Sequence, residues 1–368
     1  MIIKSLELNS FRNIENEIIN FSEGVNVIYG DNAQGKTNIL EGIYIFARGK
    51  SFRASKDKEL ICFGKSKAYS LLKFENMGKY TTLGVEISSN SPKAFYRNYN
   101  KVSRTADIIG DFRAVLFCPS HLGIISDSPS VRRSFLDVAI SQLRPVYIKL
   151  LSKYNYYIGE RNALLKKEEE EIKALSDLFY VYADEMSAIC SEISVIREEY
   201  IKRLDFYVKK FFKEMTDGKE VPEISYDADH SLKAEADKKS IKEKYMELYL
   251  SSTEREMRVG STLYGIHKDD IKIEINGKDS RFYASQGQQR SLALAMKMAE
   301  GEISREYTGE YPVFLLDDVL SELDEKRRDY ILSSIDKRQV IITTCEPSVI
   351  KNKTDSFIEI KEGKRVCI

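Results

Sequence analysis

Short apolar runs separated by turns occupy both ends of the chain, and this pattern is typical of strands. At the N-terminus, residues 1–7 alternate between apolar and polar positions. Two further runs, 68–74 and 80–88, flank the turn signal Asn76-Met77-Gly78 and predict a β-hairpin. The other predicted strands are residues 25–29, 114–117, 271–275, 313–317, 340–344 and 357–360.

The middle of the chain changes to the spacing of an amphipathic helix. From Ile172 to Tyr200, apolar residues recur at alternating steps of three and four, which is a heptad seam. The seam continues, shifted by one position, to Phe211, and one helix over 172–211 would be about 60 Å long. Its apolar positions are Ile172, Leu175, Phe179, Tyr182, Met186, Ile189, Ile193, Ile196, Tyr200, Leu204, Tyr207 and Phe211.

Shorter helices are predicted on either side of this seam. Apolar residues repeat at helical spacing over 147–157 and again over 241–248. The polar stretch 216–239 predicts a loop. The whole block indicates antiparallel helices packed as an arm, and an ordinary helical bundle domain is the alternative.

These three textures predict an α/β fold in which both ends of the chain build one domain around a helical insertion. A length of 368 residues fits two or three domains. We expect residues 1–145 and 256–368 to form the two parts of an α/β head, and residues 146–255 to form an inserted helical lobe.

The composition excludes some classes of partner. The chain has 57 Lys and Arg residues against 57 Asp and Glu residues, so it is not a polycationic protein. A neutral total can still hide a basic face that binds nucleic acid. Hydrophobic residues make up 42% and charged residues 31%, which is a soluble globular composition.

Location and redox state follow from the apolar runs and the cysteines. No apolar run approaches the roughly 20 residues that span a bilayer, and the N-terminus lacks the apolar stretch of a signal peptide. The cysteines are scattered, odd in number and without a CxxC pair, so neither a zinc site nor a disulfide framework is predicted. We expect a cytoplasmic protein without membrane contact, whose thiols are Cys62, Cys118, Cys190, Cys345 and Cys367.

Residues 30–37, Gly-Asp-Asn-Ala-Gln-Gly-Lys-Thr, fit the phosphate-binding pattern G-x-x-x-x-G-K-[ST] at each fixed position. A predicted strand precedes this P-loop and helix-like residues 38–44 follow it. Glycines let backbone N–H groups turn toward a phosphate, and the helix dipole favours an anion there. Lys36 is expected to reach the β- and γ-phosphates and Thr37 to bind Mg²⁺. A glycine-rich turn is the alternative.

A carboxylate site is expected at the end of the predicted strand 313–317. Four apolar residues there end in Asp317 and Asp318. Acids at the carboxyl end of a buried parallel strand lie at the ligand edge of an α/β sheet. Asp317 is the expected Mg²⁺ partner, and Asp318 could position or deprotonate an attacking water. Asp318 and Lys36 are therefore the predicted catalytic residues, and an ion-paired or helix-capping aspartate is the alternative.

Residues 285–290, Ser-Gln-Gly-Gln-Gln-Arg, resemble the signature motif of ABC-type ATPases and open a predicted helix. A serine hydroxyl and glycine amides at a helix N-terminus make a second anion site. In that superfamily this site binds the γ-phosphate of ATP held by another subunit, so ATP joins a head-to-head dimer. The residues that would act in trans, on ATP of the other subunit, are Ser285, Gln286, Gly287 and Gln288. The D-loop of the superfamily is resembled by a second segment, Ser321, Glu322, Leu323 and Asp324.

Six segments together resemble the RecF family of bacterial recombinational-repair ATPases. They are residues 9–14, 30–38, 48–53, 132–137, 265–270 and 285–290. The resemblance covers essentially the whole chain and is weakest in the helical block. It implies an SMC-like, ABC-type P-loop ATPase head with a short antiparallel helical arm. The implied ATP-binding residues are Arg12, Gly30, Asp31, Asn32, Ala33, Gln34, Gly35, Lys36, Thr37 and Asn38.

The resemblance also implies a function. Members of this family bind ATP, dimerise when ATP is bound and hydrolyse it slowly. They bind DNA, particularly gapped DNA and single-strand/double-strand junctions, and with RecR and RecO they help to load RecA. We therefore expect ATP and Mg²⁺ as cofactors, and double-stranded and gapped DNA, RecR and a second copy of the chain as partners.

The sequence departs from the superfamily pattern near the predicted γ-phosphate position. The catalytic acid is usually Glu, and here it is the shorter Asp318. Transporters carry a switch histidine at the end of the strand 340–344, where residues 343–345 are Thr-Thr-Cys. Both departures suit slow hydrolysis. No Q-loop glutamine is identified near residues 117–120, so that γ-phosphate sensor stays unassigned.

Two basic clusters are candidates for DNA contact. Residues 65–104 contain eight basic and two acidic residues, a net charge of +6. A second cluster follows the P-loop helix and consists of Arg48, Lys50, Arg53, Lys56 and Lys58. Lys and Arg contact phosphates without reading sequence, and a solvated face is the alternative. The candidates are Arg48, Lys50, Arg53, Lys65, Lys67, Lys73, Lys79, Lys93, Arg97, Lys101 and Arg104.

Two other classes of function compete with this interpretation. The main alternative is the ATP-binding subunit of a membrane transporter, against which the long helical block and the missing switch histidine argue. A P-loop nuclease would need an acidic metal cluster beyond Asp317 and Asp318. The one candidate in the sequence is His267-Lys268-Asp269-Asp270, which is insufficient for such a cluster.

Overall fold

The computed structural model describes residues 1–167, 176–216, 218, 220–228, 237–334, 338–348, 350 and 354–366. The chain divides into two compact units. The first unit combines Met1–Gly123, Tyr207–Glu220 and Ser285–Ile368, and the second combines Ile124–Phe206 and Val221–Ala284. Both ends of the chain therefore contribute to the first unit.

The elements are numbered in chain order. The strands are β1 Ile2–Phe11, β2 Ile14–Asn20, β3 Val25–Tyr29, β4 Lys67–Asn76, β5 Lys79–Ser88, β6 Ala94–Arg97, β7 Asn100–Lys101, β8 Ala114–Phe117, β9 Pro222–Asp227, β10 Asp270–Ile275, β11 Lys278–Asp279, β12 Val313–Asp317, β13 Val340–Thr344, β14 Ser356–Lys361 and β15 Lys364–Arg365. The helices are α1 Lys36–Arg48, α2 Gly123–Ser126, α3 Pro129–Leu143, α4 Pro145–Leu164, α5 Ser176–Thr216, α6 Lys238–Ser251, α7 Thr253–Val259, α8 Ser280–Tyr283, α9 Gln286–Thr308 and α10 Glu325–Ser334.

The first unit contains a mostly parallel sheet in the order β15-β14-β3-β13-β12-β8. β12 and β13 are buried at every position, which explains their continuous apolar sequences. The register sets Asp317 beside Thr343, and Thr343 beside Ile28. The carboxyl ends of β3, β12 and β13 therefore share one edge, where the P-loop leaves β3.

A second sheet of the first unit is antiparallel, in the order β2-β1-β4-β5-β6-β7. The predicted hairpin is confirmed, because β4 pairs with β5 from Lys67↔Ser88 to Asn76↔Lys79. Its two-residue turn has positive φ at Met77 (49°) and Gly78 (74°), which matches the twist of the strands. β4 alternates exposed and buried side chains over most of its length, so one face of the hairpin packs inward.

The second unit is mainly helical, and α5 continues from it into the first unit at Tyr207. The predicted seam is largely buried, with Met186 and Ile193 fully buried, and Tyr200 2% exposed. Two of its predicted positions, Ile172 and Leu175, lie outside the described residues. The shorter predicted helices are confirmed within α4 and α6. Among the described helices, none is both long and apolar enough to cross a membrane.

The structure corrects the predicted division of the chain. The second unit begins at Ile124, not at residue 146, because α3 packs against α4 and β10. It ends at Ala284, not at residue 255, because a three-stranded sheet β11-β10-β9 belongs to it. The expected loop over 216–239 is wrong for β9, where Ile224 is buried and pairs with Ile273.

Candidate nucleotide site

The P-loop curls between the end of β3 and the start of α1. Gly30 and Gly35 have φ angles of 148° and 111°, which glycine adopts without steric cost. A Cβ on Gly30 would lie 2.3 Å from the carbonyl oxygen of Ile360, and one on Gly35 would lie 2.8 Å from Oδ1 of Asn13. Gly30 is therefore required by backbone angle and by the fixed backbone oxygen beside it, and Gly35 by its backbone angle.

Lys36 lies across this loop. Its Nζ donates hydrogen bonds to the carbonyl oxygens of Gly30 and Asp31, both at 2.8 Å, and lies 3.4 Å from Sγ of Cys345. Lys36 is only 7% exposed. The ammonium group is thus held at the mouth of the loop, where a phosphate could replace the carbonyl contacts.

Two hydroxyl groups converge on the Asp317 carboxylate. Thr37 Oγ1 and Thr343 Oγ1 each donate a hydrogen bond to Asp317 Oδ1 at 2.8 Å. Burial raises the pKa of Asp317, and hydrogen bonds from Thr343 and Thr37 and the charge of Arg53 oppose this shift. A hydroxyl and a buried carboxylate side by side form the oxygen pair that a divalent cation prefers.

Asp318 is held in an unusual backbone conformation. Its φ is 50°, and its N–H donates to the carbonyl oxygen and to Oγ1 of Thr343, at 3.2 and 3.0 Å. Ser321 Oγ in turn donates to the carbonyl oxygen of Asp318 at 2.7 Å. Thr343 therefore contacts both predicted acidic residues, which the sequence analysis did not foresee.

The β1–β2 turn and the C-terminal hairpin both contact the P-loop. Asn13 Nδ2 donates to the Gln34 carbonyl oxygen at 3.3 Å, and Asn38 Nδ2 donates to Asn13 Oδ1 at 2.8 Å. From the β14–β15 turn, the Gly363 N–H donates to the Gln34 carbonyl oxygen at 2.9 Å. Local sequence patterns gave no sign of these contacts.

The guanidinium of Arg12, a predicted ATP-binding residue, is hydrogen-bonded to other groups of the protein. It donates two hydrogen bonds of 2.8 Å to the buried Glu41 carboxylate and one of 2.8 Å to the Glu59 carbonyl oxygen. Ser51 also donates to Glu41. These contacts fasten the β1–β2 turn to α1, and a direct contact of Arg12 with ATP stays a prediction.

The signature-like residues lie at the N-terminus of α9. Ser285 caps the helix, because its Oγ accepts from the Gln288 N–H at 3.3 Å and Gln288 Oε1 accepts from the Ser285 N–H at 2.7 Å. Ser285 and Gln286 are exposed. The D-loop-like residues follow β12, where a short 3₁₀ turn spans Leu320–Glu322. Leu323 is buried, and the other three D-loop-like residues are exposed.

The structure changes the charge count of the DNA candidates. Acidic partners from outside residues 65–104 pair with three of them: Lys93 with Asp57, Arg97 with Asp111 and Arg104 with Asp107. Within the segment, Lys67 pairs with Glu86 at 2.6 Å. The net charge counted along the sequence therefore overstates the positive charge of this face. Lys65, Lys73, Lys79 and Lys101 have exposed side chains.

The cluster after the P-loop helix lies near the nucleotide site. Arg53 Nη1 donates to Asn38 Oδ1 at 3.2 Å, and its charge reaches Asp317. Partial burial, together with the charges of Arg48 and Lys93, lowers the pKa of Lys50. The side chain of Arg53 thus borders the P-loop helix, in addition to being a candidate for DNA contact.

These features define a class. A P-loop and an acidic strand at one edge of a parallel sheet, with a signature-like helix start in the same unit, are the elements of an SMC/ABC-type ATPase head. The chain matches the family model for the RecF/RecN/SMC N terminal domain over residues 2–367. SMC heads share the fold: the Smc head bound to the C-winged helix domain of ScpA has a TM-score of 0.57 at 16% identity, covering 100% of this chain and 97% of that chain.

Sequence comparison narrows the class. The DNA replication and repair protein RecF of Thermoanaerobacter pseudethanolicus is 38% identical over 366 residues, which cover 99% of each chain. RecF of Clostridium novyi is 39% identical over 360 residues, which cover 98% of this chain and 97% of the relative. The chain belongs to the RecF family of DNA replication and repair proteins.

Solved RecF structures agree with this assignment. The recombination mediator protein RecF with ATP, of the RecFOR pathway, has a TM-score of 0.91 at 36% identity and covers 100% of this chain and 99% of that chain. A second RecF structure of that pathway, with an ATP analogue, has a TM-score of 0.92 at 37% identity over 99% of this chain and 97% of that chain. The transporter alternative is not favoured.

Proposed function

We propose that this protein is a weak, DNA-stimulated ATPase whose ATP-bound form dimerises head to head and clamps gapped or junction DNA. The observation that carries the proposal is the group formed by Lys36, Thr37 and Asp317, with Lys36 Nζ across the loop and Thr37 Oγ1 2.8 Å from Asp317 Oδ1. The relatives support it, since one of the similar solved RecF structures contains ATP.

The residues fit a magnesium ion. Thr37 and Asp317 offer neighbouring oxygens. Burial raises the pKa of Asp317, and a cation beside the carboxylate would oppose this shift because it stabilises the ionised form. When bound, Mg²⁺ neutralises phosphate charge. Lys36 binds the β- and γ-phosphates. Thr343 orients Asp318 through the Asp318 N–H, and Asp318 either positions the attacking water or accepts a proton from it.

The dimer part of the proposal rests on the exposed N-terminus of α9. Ser285, Gln286, Gly287 and Gln288 offer a hydroxyl and helix N–H groups to the γ-phosphate of ATP on a second copy. The D-loop residues Ser321–Asp324 would lie against the same partner. ATP would then act as the bridge between two copies, and its slow hydrolysis would release them.

The partner proposals are double-stranded and gapped DNA, RecR, and RecO and RecA indirectly. The similar solved RecF proteins are described as recombination mediators of the RecFOR pathway. Exposed lysines of β4, β5 and β7 give the first unit a basic surface for phosphates. A cytoplasmic location stays a prediction.

The nuclease alternative loses its candidate cluster. Asp270 accepts two hydrogen bonds from Arg132, at 2.6 and 2.8 Å, and Asp269 pairs with Arg197 at 3.1 Å. Among the described residues, no group of three or more His, Cys, Asp and Glu side chains could hold a metal ion. Cleavage of gapped DNA by the purified protein with Mg²⁺ would nevertheless support a nuclease.

Sedimentation velocity and binding of a fluorescent ATP analogue test the proposal together. The unaltered protein should bind ATP and become a dimer with ATP but not with ADP. Lys36→Ala should lose ATP binding and dimerisation, because the phosphate cation is gone. Ser285→Arg should keep ATP binding and lose dimerisation, because the side chain would block the partner's γ-phosphate. A Ser285→Arg protein that dimerises normally would contradict the trans signature model.

A further inference from the structure

Arg327, near the start of α10, joins three segments of the first unit. Its Nη2 donates to the Gly287 carbonyl oxygen at 3.0 Å, and its Nε donates to Ser291 Oγ at 2.7 Å. Its Nη1 forms an ion pair with the Asp324 carboxylate. The guanidinium therefore contacts the signature segment, the body of α9 and the end of the D-loop at the same time.

A second arginine links the same two elements in the opposite direction. Arg290, on α9, approaches the D-loop residue Glu322, with Nη2 3.4 Å from Oε2. Arg290 of α9 thus reaches the D-loop, and Arg327 of α10 reaches α9. Arg290 is more exposed than Arg327, with 36% against 22% of the side chain accessible, and a surface ion pair contributes little by itself.

The backbone around Arg327 is adapted to these contacts. A Cβ on Gly287 would lie 3.3 Å from Arg327 Nη2, so glycine leaves room for the guanidinium. The Arg327 N–H donates to Asp324 Oδ1 at 2.9 Å, which caps α10 and, as the leading cause, lowers the pKa of Asp324. Only a planar guanidinium can serve three acceptors in this way; a lysine ammonium cannot reproduce the fork.

We propose that Arg327 is a positioning residue that fastens the D-loop to the signature segment, so that the two elements meet a partner subunit as one rigid surface. The proposal rests on the ATP-dependent dimer of the proposed function. Arg327 does not contact the P-loop residues in its own chain through these bonds. Its loss should therefore leave the nucleotide affinity of that P-loop intact and weaken the step that needs both elements together.

The test compares Arg327→Ala and Arg327→Lys with Arg328→Ala, which removes the same charge from the neighbouring position of α10. Binding of a fluorescent ATP analogue to the monomer should change less than twofold in all three variants. The ATP-dependent dimer of both Arg327 variants should dissociate at least tenfold more readily, and kcat should fall at least tenfold at an unchanged KM. Arg328→Ala should behave like the unaltered protein.

Hydrogen exchange without nucleotide tests the link independently of the dimer. Amide exchange over 286–291 and 320–325 should become faster together in Arg327→Ala and stay unchanged in Arg328→Ala. If the unaltered protein does not dimerise with ATP, the proposed function fails, and unchanged exchange in Arg327→Ala would separately overturn the link. Normal dimerisation and kcat in Arg327→Ala, or full recovery in Arg327→Lys, would also overturn the proposal.

Discussion

Thr343 shows how a residue without charge can organise a charged site. Its hydroxyl donates to Asp317 Oδ1 at 2.8 Å and accepts from the Asp318 N–H at 3.0 Å. Asp318 has a left-handed φ of 50°, a conformation that costs a non-glycine residue free energy and persists only where neighbours enforce it. Thr343 is buried on the adjacent strand β13, and its hydrogen bonds hold Asp318 in this conformation.

We predict that Thr343→Val lowers the free energy of unfolding by about 1–3 kcal/mol, because Asp317 loses a buried hydrogen-bond donor. The rate of ATP hydrolysis should fall by about tenfold or more, since the Asp318 N–H keeps only its longer hydrogen bond to the Thr343 carbonyl oxygen. Urea denaturation without nucleotide and steady-state ATPase assays measure the two effects. Thr343→Ser keeps the hydroxyl and is the matched control.

A Thr343→Ser protein as impaired as Thr343→Val would contradict this role, since the hydroxyl would then be irrelevant. Equal ATPase rates in Thr343→Val and the unaltered protein would do so as well. In either case the conformation of Asp318 would have to depend on its other contacts, which are the Thr343 carbonyl oxygen and the Ser321 hydroxyl.

At the scale of elements, the sequence predicted those strands, turns and loops whose conformation depends mainly on neighbouring residues. The P-loop, the strand ending at Asp317 and the β4–β5 hairpin each carry their signal within a few residues. β9 carries none, because its partner β10 lies almost fifty residues later and the pairing is set by tertiary contact. Arg12 was assigned from the family pattern, and its contact with Glu41 could not be read from spacing.

The loop between α7 and β10 connects helices of the second unit. His267 Nδ1 lies 2.6 Å from the Tyr154 hydroxyl on α4, and Arg197 on α5 donates to the Ile266 carbonyl oxygen at 2.8 Å. Gly265 has a φ of 128°, and a Cβ there would lie 2.2 Å from the Tyr154 hydroxyl oxygen. The sequence marked this segment as part of a family pattern and as the candidate metal cluster of a nuclease, and the structure gives it a packing role.

This loop predicts a dependence of stability on pH. Burial lowers the pKa of His267 to about 4. As pH falls from about 6.5 to about 4, the unfolded chain binds a proton that the folded chain resists, so His267 destabilises the fold progressively. The unfolding free energy of the unaltered protein, relative to His267→Gln, should fall by up to about 3 kcal/mol over this window.

Urea denaturation of both proteins at a series of pH values measures that difference. Asp269, whose pKa burial raises to about 6, is present in both proteins, so its own titration largely cancels from the comparison. A difference that stays constant from pH 7 to pH 4.5 would contradict a buried, neutral His267.

At the scale of the whole molecule, the balance of 57 basic and 57 acidic residues conceals an uneven distribution. Counting along the chain predicted a basic segment over 65–104, and that count could not include Asp57 and Asp111, which the fold brings to Lys93 and Arg97. Charge along a sequence therefore predicts which region is basic, and the fold decides which of its cations face solvent.

The salt dependence of DNA binding distinguishes the solvent-facing cations from the cations that are paired with carboxylates. In the presence of ATP, the logarithm of the binding constant for gapped DNA should fall linearly with the logarithm of salt concentration. Lys73→Gln removes an exposed cation of β4 and should reduce the magnitude of that slope by about one.

Arg97→Gln is the control for this prediction. Asp111 and the Asp107 carbonyl oxygen already accept hydrogen bonds from the Arg97 guanidinium, so this substitution should change the slope less. Equal slopes for Lys73→Gln and the unaltered protein, with a reduced slope for Arg97→Gln, would move the DNA surface away from the outer face of β4 and toward the paired cations.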